Sequence, residues 1–207
     1  MPLQELELVS AKRLDELIAE LKSKGDYRQG QGLYDQIAYA QAGQTNLAFF
    51  GRSQSGSGIE ITNLKTAGKT PKEVDQIVKG VRLFPLPAGN LDDDPLDYAN
   101  DVHKMLKKGA LTVKIAEKEI CPAVSPLRKV NGGLDAFAAF ARIAAGGADV
   151  SMSYAEGKNG KALDFAVPYG VPGDTSLDAQ VNWAAAVAVS AAGALQIELI
   201  GSQLFHG

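Results

Sequence analysis

Toward the C-terminus three stretches, residues 161–170, 177–190 and 193–205, alternate apolar with polar or small residues. The first sets Leu163, Phe165, Val167 and Tyr169 on one parity, and the second Val181, Trp183, Ala185, Val187 and Val189. The third sets Leu195, Ile197 and Leu199 on one parity, with Gln196 and Glu198 between them. A repeat of two puts successive side chains on opposite faces of a strand, whereas a helix needs a repeat of about 3.6. Three such segments in succession confine the chain to β-sheet with one buried face. The last runs to Phe205, so the chain is expected to finish inside its sheet, with little polar surface set aside for a site. That pattern suits a protein used for building more than one used for chemistry.

Composition narrows the reading. The 207 residues fit one domain with an appendage, and 45% hydrophobic content fills a core that a disordered chain lacks. A net charge of −3 offers no basic field for nucleic acid, so no direct nucleic-acid binding is expected. No apolar run reaches the roughly 18 residues a membrane-spanning helix needs. The N-terminus has early acids and no apolar core, so no secretory signal is expected. The single cysteine, Cys121, excludes an internal disulfide and a cysteine-rich zinc site.

Ser10 is expected to cap a helix running to Lys24, with Gly25 past its end. Leu14, Leu17, Ile18 and Leu21 form its apolar stripe, opposite Lys12, Asp15, Glu16, Glu20 and Lys22. The stripe docks either on its own domain or on a neighbouring subunit. The glycine-rich GDYRQGQG that follows reads as a linker, so residues 1–32 form a helical arm and linker and residues 33–207 the main domain. Residues 33–42 read as a second short helix, 46–50 as the start of the β region, 51–58 as a glycine-rich loop and 59–62 as a short strand. A turn at 66–71 leads to a strand over 74–84, with Ile77, Val81 and Leu83 on one face and Pro85 and Pro87 ending it. A helix over 94–108, apolar at Tyr98, Val102, Met105 and Leu106, stops at Gly109. A strand with Leu111, Val113 and Ile115 on one side follows, then interruptions at Pro122 and Pro126. Residues 134–145 stay open between helix and strand, and 150–154 reads as a strand. About eight short strands with Gly/Pro turns indicate a sandwich or barrel, Greek-key and jelly-roll topologies among them.

Groups able to carry chemistry are sparse. Asp92, Asp93, Asp94, Asp97 and Asp101 cluster, but the run has neither the central glycine nor the closing glutamate of an EF-hand loop, and acids suit a helix start. The only histidines, His103 and His206, are too few for a cupin-type metal centre. Cys121 precedes Pro122 with no histidine assigned to activate it, and reads as a small apolar residue. The loop 53–58 lacks the Lys-Ser/Thr of a phosphate-binding loop, and Trp183 sits at strand spacing as a core residue. No catalytic residue, metal site or cofactor is expected.

The run YDQIAYAQAGQTNLAFFGRSQSGSGIEITNLKTAGKTPKEVDQIVKGVRLFP joins a polar lead to Phe49-Phe50, a glycine loop, Thr62-Asn63-Leu64, a turn at 68–71 and a strand of the type V-x-G-V-R-L-F. With the stretch 101–118, where a short helix feeds a strand through Lys108-Gly109, and the ending LQIELIGSQLF, it resembles the jelly-roll major capsid proteins of tailless, icosahedral double-stranded DNA phages, membrane-containing ones included. The resemblance covers residues 33–205 and leaves 1–25 outside. It implies a mainly β chain, a single jelly-roll β-sandwich with an N-terminal helical arm and one inserted helix. It also implies a structural coat protein, not an enzyme, made in the host cytoplasm and located in the virion. Such a protein self-assembles into trimeric or pseudo-hexameric capsomers, its partners being copies of itself, other capsid proteins and an underlying lipid membrane. Leu14, Leu17, Ile18 and Leu21 would then be the assembly arm. The competing expectations are a minor capsid, vertex or spike protein of the same kind of particle, a carbohydrate-binding jelly-roll module, and an enzyme on a cupin-like barrel.

Overall fold

The computed structural model describes residues 3, 5–24, 27–29, 32–58, 60–88, 95–125, 127–132, 134–145, 148–159 and 162–205. In chain order the first elements are β1 (Glu7–Leu8), α1 (Ala11–Lys24), β2 (Tyr27–Gln29), β3 (Leu33–Tyr39), β4 (Asn46–Phe49), α2 (Gln54–Ser57), β5 (Val74–Leu86) and α3 (Pro95–Lys107). Then come β6 (Gly109–Ile115), β7 (Lys118–Val124), a 3-10 turn (Leu127–Val130), β8 (Leu134–Ala145), β9 (Ala148–Asn159), β10 (Leu163–Val171), β11 (Leu177–Trp183) and β12 (Gly193–Phe205).

The strands form two larger antiparallel sheets and a separate ribbon. The first sheet runs β1-β10-β5-β12, and β12 carries both β3 and β2 on its far side. The second runs β4-β11-β6-β7, and the ribbon is β8 paired with β9. The inner faces of the two sheets share one apolar cluster, with Val81, Leu83, Leu195 and Ile197 from the first and Leu111, Val113, Ala179 and Val181 from the second. Two antiparallel sheets joined this way are consistent with a β-sandwich. The alternation builds it directly: Leu111, Val113 and Ile115 are fully buried, as are Ala179 and Val181 opposite them. Helix α3 closes one end, its Val102, Met105 and Leu106 buried and Tyr98 packed alongside. Trp183 donates its indole N–H to the Met105 carbonyl at 2.9 Å and meets Tyr39 edge-on at 5.5 Å, so it is a core residue as expected.

Several expectations change. Residues 33–39 are a strand, not a helix, with Leu33, Asp35, Ile37 and Tyr39 buried in alternation. Residues 27–29, read as linker, pair with β12. In the expected strand 59–62, residues 60 and 61 form a turn and Thr62 makes only a bridge to Asp35; Ile59 lies outside the described residues, as does Gly25. The glycine loop contains the short helix α2. The strand over 177–190 stops at Trp183, and residues 184–192 form a loop pinned by Val189 N–H to the Gln41 carbonyl. Residues 134–145 are a strand, as one of the two readings allowed, and 150–154 belongs to a longer one.

Two local rules explain the errors within β5. It continues through Pro85 because β10 pairs with it only as far as Val81. Leu83 turns its carbonyl away from β12 toward the Gly132 N–H, and Pro85, two residues on, turns its missing N–H to the same side. The shared face of Ile77, Val81 and Leu83 is broken by a bulge. Val78 pairs with Gly201 and Gly80 with Ile200, leaving Lys79 as the extra residue. Ile77 therefore joins a different cluster from Val81 and Leu83. Gly201 stands at this bulge because a Cβ there would lie 1.8 Å from the Ile77 carbonyl oxygen.

Candidate functional site

The outer face of the first sheet carries arm residues at one end and the Arg82–Glu198 ion pair at the other. At one end it is covered by α1. The Ser10 hydroxyl oxygen accepts the Arg13 N–H at 3.2 Å, the expected N-cap. Leu17 is 2% exposed and joins Leu3, Val9, Ile77 and Leu204 in a small buried cluster, with Leu14 packed against it. Ile18 is half-buried, and the side chain of Leu21 lies outside the described residues. Asp75, itself buried, holds this corner together. One carboxylate oxygen accepts the Leu3 N–H at 2.6 Å and the other the Gly173 N–H at 3.0 Å. Of the two dockings open to the stripe, Leu14 and Leu17 make the one on their own chain.

At the other end of the same face lie Tyr34 and Gln36 of β3, Gln196 and Glu198 of β12, and Arg82 and Phe84 of β5, brought side by side by register. Arg82 donates to both oxygens of Glu198, at 2.8 and 3.2 Å, and its guanidinium carbon sits 5.4 Å from the Phe84 ring centroid. A forked Arg–carboxylate pair stacked on an aromatic is held in one geometry. With its two side chains 37% and 20% exposed, the pair adds little to stability.

A buried carboxylate missed by the sequence reading lies beneath the glycine loop. Asp35 is fully buried; its Oδ2 accepts the Phe50 N–H at 2.5 Å, and Oδ1 has no hydrogen-bond partner among the described residues. Burial pushes its carboxyl above the ordinary carboxylate range, opposed by the Phe50 N–H and the Arg52 charge. Its bond reaches the one residue between β4 and the loop that holds a positive φ, Phe50 at 65°. Asp35 thus fixes where the loop leaves the sheet. Its sequence signal was the parity of Leu33-x-Asp35-x-Ile37-x-Tyr39.

The remaining candidates separate. Asp92, Asp93, Asp94 and His206 lie outside the described residues. Asp97 is exposed, while Asp101 is 2% exposed and accepts the Ser190 N–H and hydroxyl, so it fastens the 184–192 loop. Among the described residues no group of three His, Cys, Asp or Glu is placed to hold a metal. His103 is half-buried on α3. Cys121 is buried, and burial, with Glu119 nearby, pushes its thiol up to about 11. At neutral pH it is a thiol rather than a nucleophilic thiolate. A cleft of about 420 Å³ opens at the end of the second sheet, lined by Lys114, Glu117, Ser176, Leu177 and Asp178.

Among the described residues the β8–β9 ribbon pairs with neither sheet. Its pairing is continuous from Leu134 opposite Asn159 to Ala145 opposite Ala148, and α3 is the element beside it. No family model, curated protein or solved structure matches the chain. The described helices include none long and apolar enough to cross a membrane.

Proposed function

We propose that this chain is a structural coat protein, a single jelly roll that self-assembles into the capsomers of an icosahedral viral shell. The observation that carries the jelly-roll part of the reading is the strand order. A jelly roll is a long antiparallel hairpin of eight strands wrapped around a core, so that first pairs with eighth, second with seventh, third with sixth and fourth with fifth, in alternate sheets. With β3, β4, β5, β6, β7, β10, β11 and β12 as the eight, β3 pairs with β12, β4 with β11, β5 with β10 and β6 with β7. The first and third pairs lie in one sheet and the second and fourth in the other. On this numbering α3 is inserted between the third and fourth strands and the ribbon between the fifth and sixth.

Fold alone does not assign function, because lectins and cupin enzymes use the same roll. The likeness of residues 33–205 to phage jelly-roll capsid proteins supports the coat reading. The way the aromatics are spent supports it too. Tyr39, Phe49, Phe50 and Trp183 are buried, and Tyr98, Phe165 and Tyr169 pack on the same cluster, where a sugar-binding platform would present them on loops. The partners on this reading are copies of the chain, other capsid proteins and a lipid membrane beneath the shell, and its place is the virion.

The test is the mass of the purified protein by light scattering, with negative-stain microscopy of the same sample. Trimers, hexamers or closed particles are expected. A monomer unchanged by concentration, with no particles, would overturn the reading.

A further inference from the structure

The carboxyl of Asp35 sits where three stretches of chain meet. It belongs to β3, its Oδ2 accepts the Phe50 N–H at the entry to the glycine loop, and its backbone bridges Thr62 on the segment returning from that loop. The returning segment is laid along β3 by Gln36 N–H to the Ile61 carbonyl and by Tyr34 N–H to the Asn63 side-chain oxygen, both at 2.9 Å. Phe50, Thr62 and Leu64 are buried with Asp35. The Thr62 hydroxyl lies beside the same carboxyl. A hydroxyl has one proton to give and two lone pairs to receive with. Thr62 gives its proton to the Tyr34 carbonyl at 3.0 Å and takes the Leu64 N–H at 3.3 Å on one lone pair. The second lone pair remains for Asp35, whose Oδ1 has no hydrogen-bond partner among the described residues.

This arrangement is one proton short of complete. An ionised carboxylate only accepts, so Oδ1 and the Thr62 oxygen then oppose each other as two acceptors in a place closed to water. A protonated carboxyl donates from Oδ1 to Thr62, while Oδ2 keeps the Phe50 N–H. We propose that Asp35 is a proton-operated catch on the glycine loop: protonated, it stitches the loop entry at Phe50 to the returning segment at Thr62, and ionised, it releases the chain between Phe50 and Leu64. The charges around it are few. Arg52, on the loop, opposes the proton. Glu60, on the returning segment, acts on Tyr34. On β12 the uncharged Ile197 stands opposite Asp35, and its neighbour Glu198 is tied to Arg82. Release lets water or Arg52 reach the carboxylate. It also frees Phe50 from its φ of 65°, a conformation that L residues avoid.

The experiment is hydrogen exchange of the full chain, read by mass spectrometry from about pH 4 to about pH 8 and corrected for intrinsic exchange rates. It compares the wild type with Asp35→Asn, Thr62→Val and Thr62→Ser. In the wild type, protection between Phe50 and Leu64 should fall as pH rises, while β12 residues 193–199 keep theirs. The expected fall is about tenfold for each pH unit by which the closed loop lifts the carboxyl above its ordinary value of about 4. Asp35→Asn, whose amide always offers an N–H to Thr62, should show no fall. Thr62→Val separates the catch from simple burial. A methyl in place of the hydroxyl dries the site further, so burial alone makes the fall larger. Losing the acceptor of the Asp35 proton makes it smaller, by about threefold or more, the worth of one hydrogen bond. Thr62→Ser keeps the hydroxyl and should match the wild type. A flat wild-type profile, a wild-type fall in Asp35→Asn, or an undiminished fall in Thr62→Val overturns the proposal. If Thr62→Val does not fold, the Asp35→Asn profile decides: a flat one supports the catch and a wild-type fall overturns it.

Discussion

Replacing Leu17 with alanine tests whether the N-terminal helix belongs to the body of this subunit. Leu17 is 2% exposed and lies against Ile77 of β5 and Leu204 of β12, with Leu3 and Val9 completing the cluster. Truncating a buried leucine removes its transfer free energy and leaves a partly collapsed cavity, about 2–5 kcal/mol in well-packed cores. This cluster is small and sits at the margin of the sheet, where neighbours can close in, so the expected cost is about 2–3 kcal/mol. That is a 30- to 150-fold rise, roughly, in the population with the corner open. Two readouts apply: the urea midpoint, and the rate at which a protease cuts within residues 11–24 under native conditions. Glu16→Ala on the exposed side of the same helix is the control and should change stability by about 0.5 kcal/mol or less. If Leu17→Ala behaves like Glu16→Ala in both readouts, α1 does not dock on its own sheet, and the stripe returns to the role of a free inter-subunit arm.

Three further outcomes are expected. Asp35 holds its proton more tightly folded than unfolded, so its contribution is complete at low pH and is lost as pH climbs from about 4 through the folded pKa. Asp35→Asn should therefore gain on the wild type in urea midpoint as pH rises toward 7; a difference that does not change with pH refutes this. The turn between β6 and β7 places Ala116 and Glu117 at φ 52° and 63°, both in the left-handed region. Ala116→Asn with Glu117→Gly should raise stability by about 1 kcal/mol, and an unchanged or lower melting temperature counts against the turn assignment. Cys121, buried and with its thiol pushed up to about 11, should resist a thiol reagent at pH 7 until urea unfolds the domain. Rapid labelling of the native protein contradicts its burial.

Much of the β architecture was legible because its signal is local. The alternation at Leu111, Val113 and Ile115, and at Leu195, Ile197 and Leu199, marks strands whatever they pair with. The cap at Ser10 and the apolar face of α3 were legible for the same reason, since each spans only a turn or two of chain. The failures have equally local causes. Residues 33–39 fit both periods, and the choice went to the strand only because β12 offers a partner along 193–199. The triplet 27–29 is too short and too polar to announce itself, and it is a strand because residues 202–204 of β12 extend past β3.

Of the candidate surface, the sequence by itself determined the ingredients: the stripe of α1, the apolar residues of the ribbon, and the shortage of histidine and cysteine. Hydrophobic periodicity reports which side of an element avoids water, because that property belongs to each residue and its near neighbours. Only the tertiary structure decided what meets across the sheets. It alone put Leu17 over Ile77 and Leu204, turned Ile77 away from Val81 through the extra residue Lys79, and set Arg82 against Glu198. It alone left β8 and β9, among the described residues, paired only with each other. Pairing partner and register are set by free energies summed over strands far apart in the chain, a sum that no window of sequence contains.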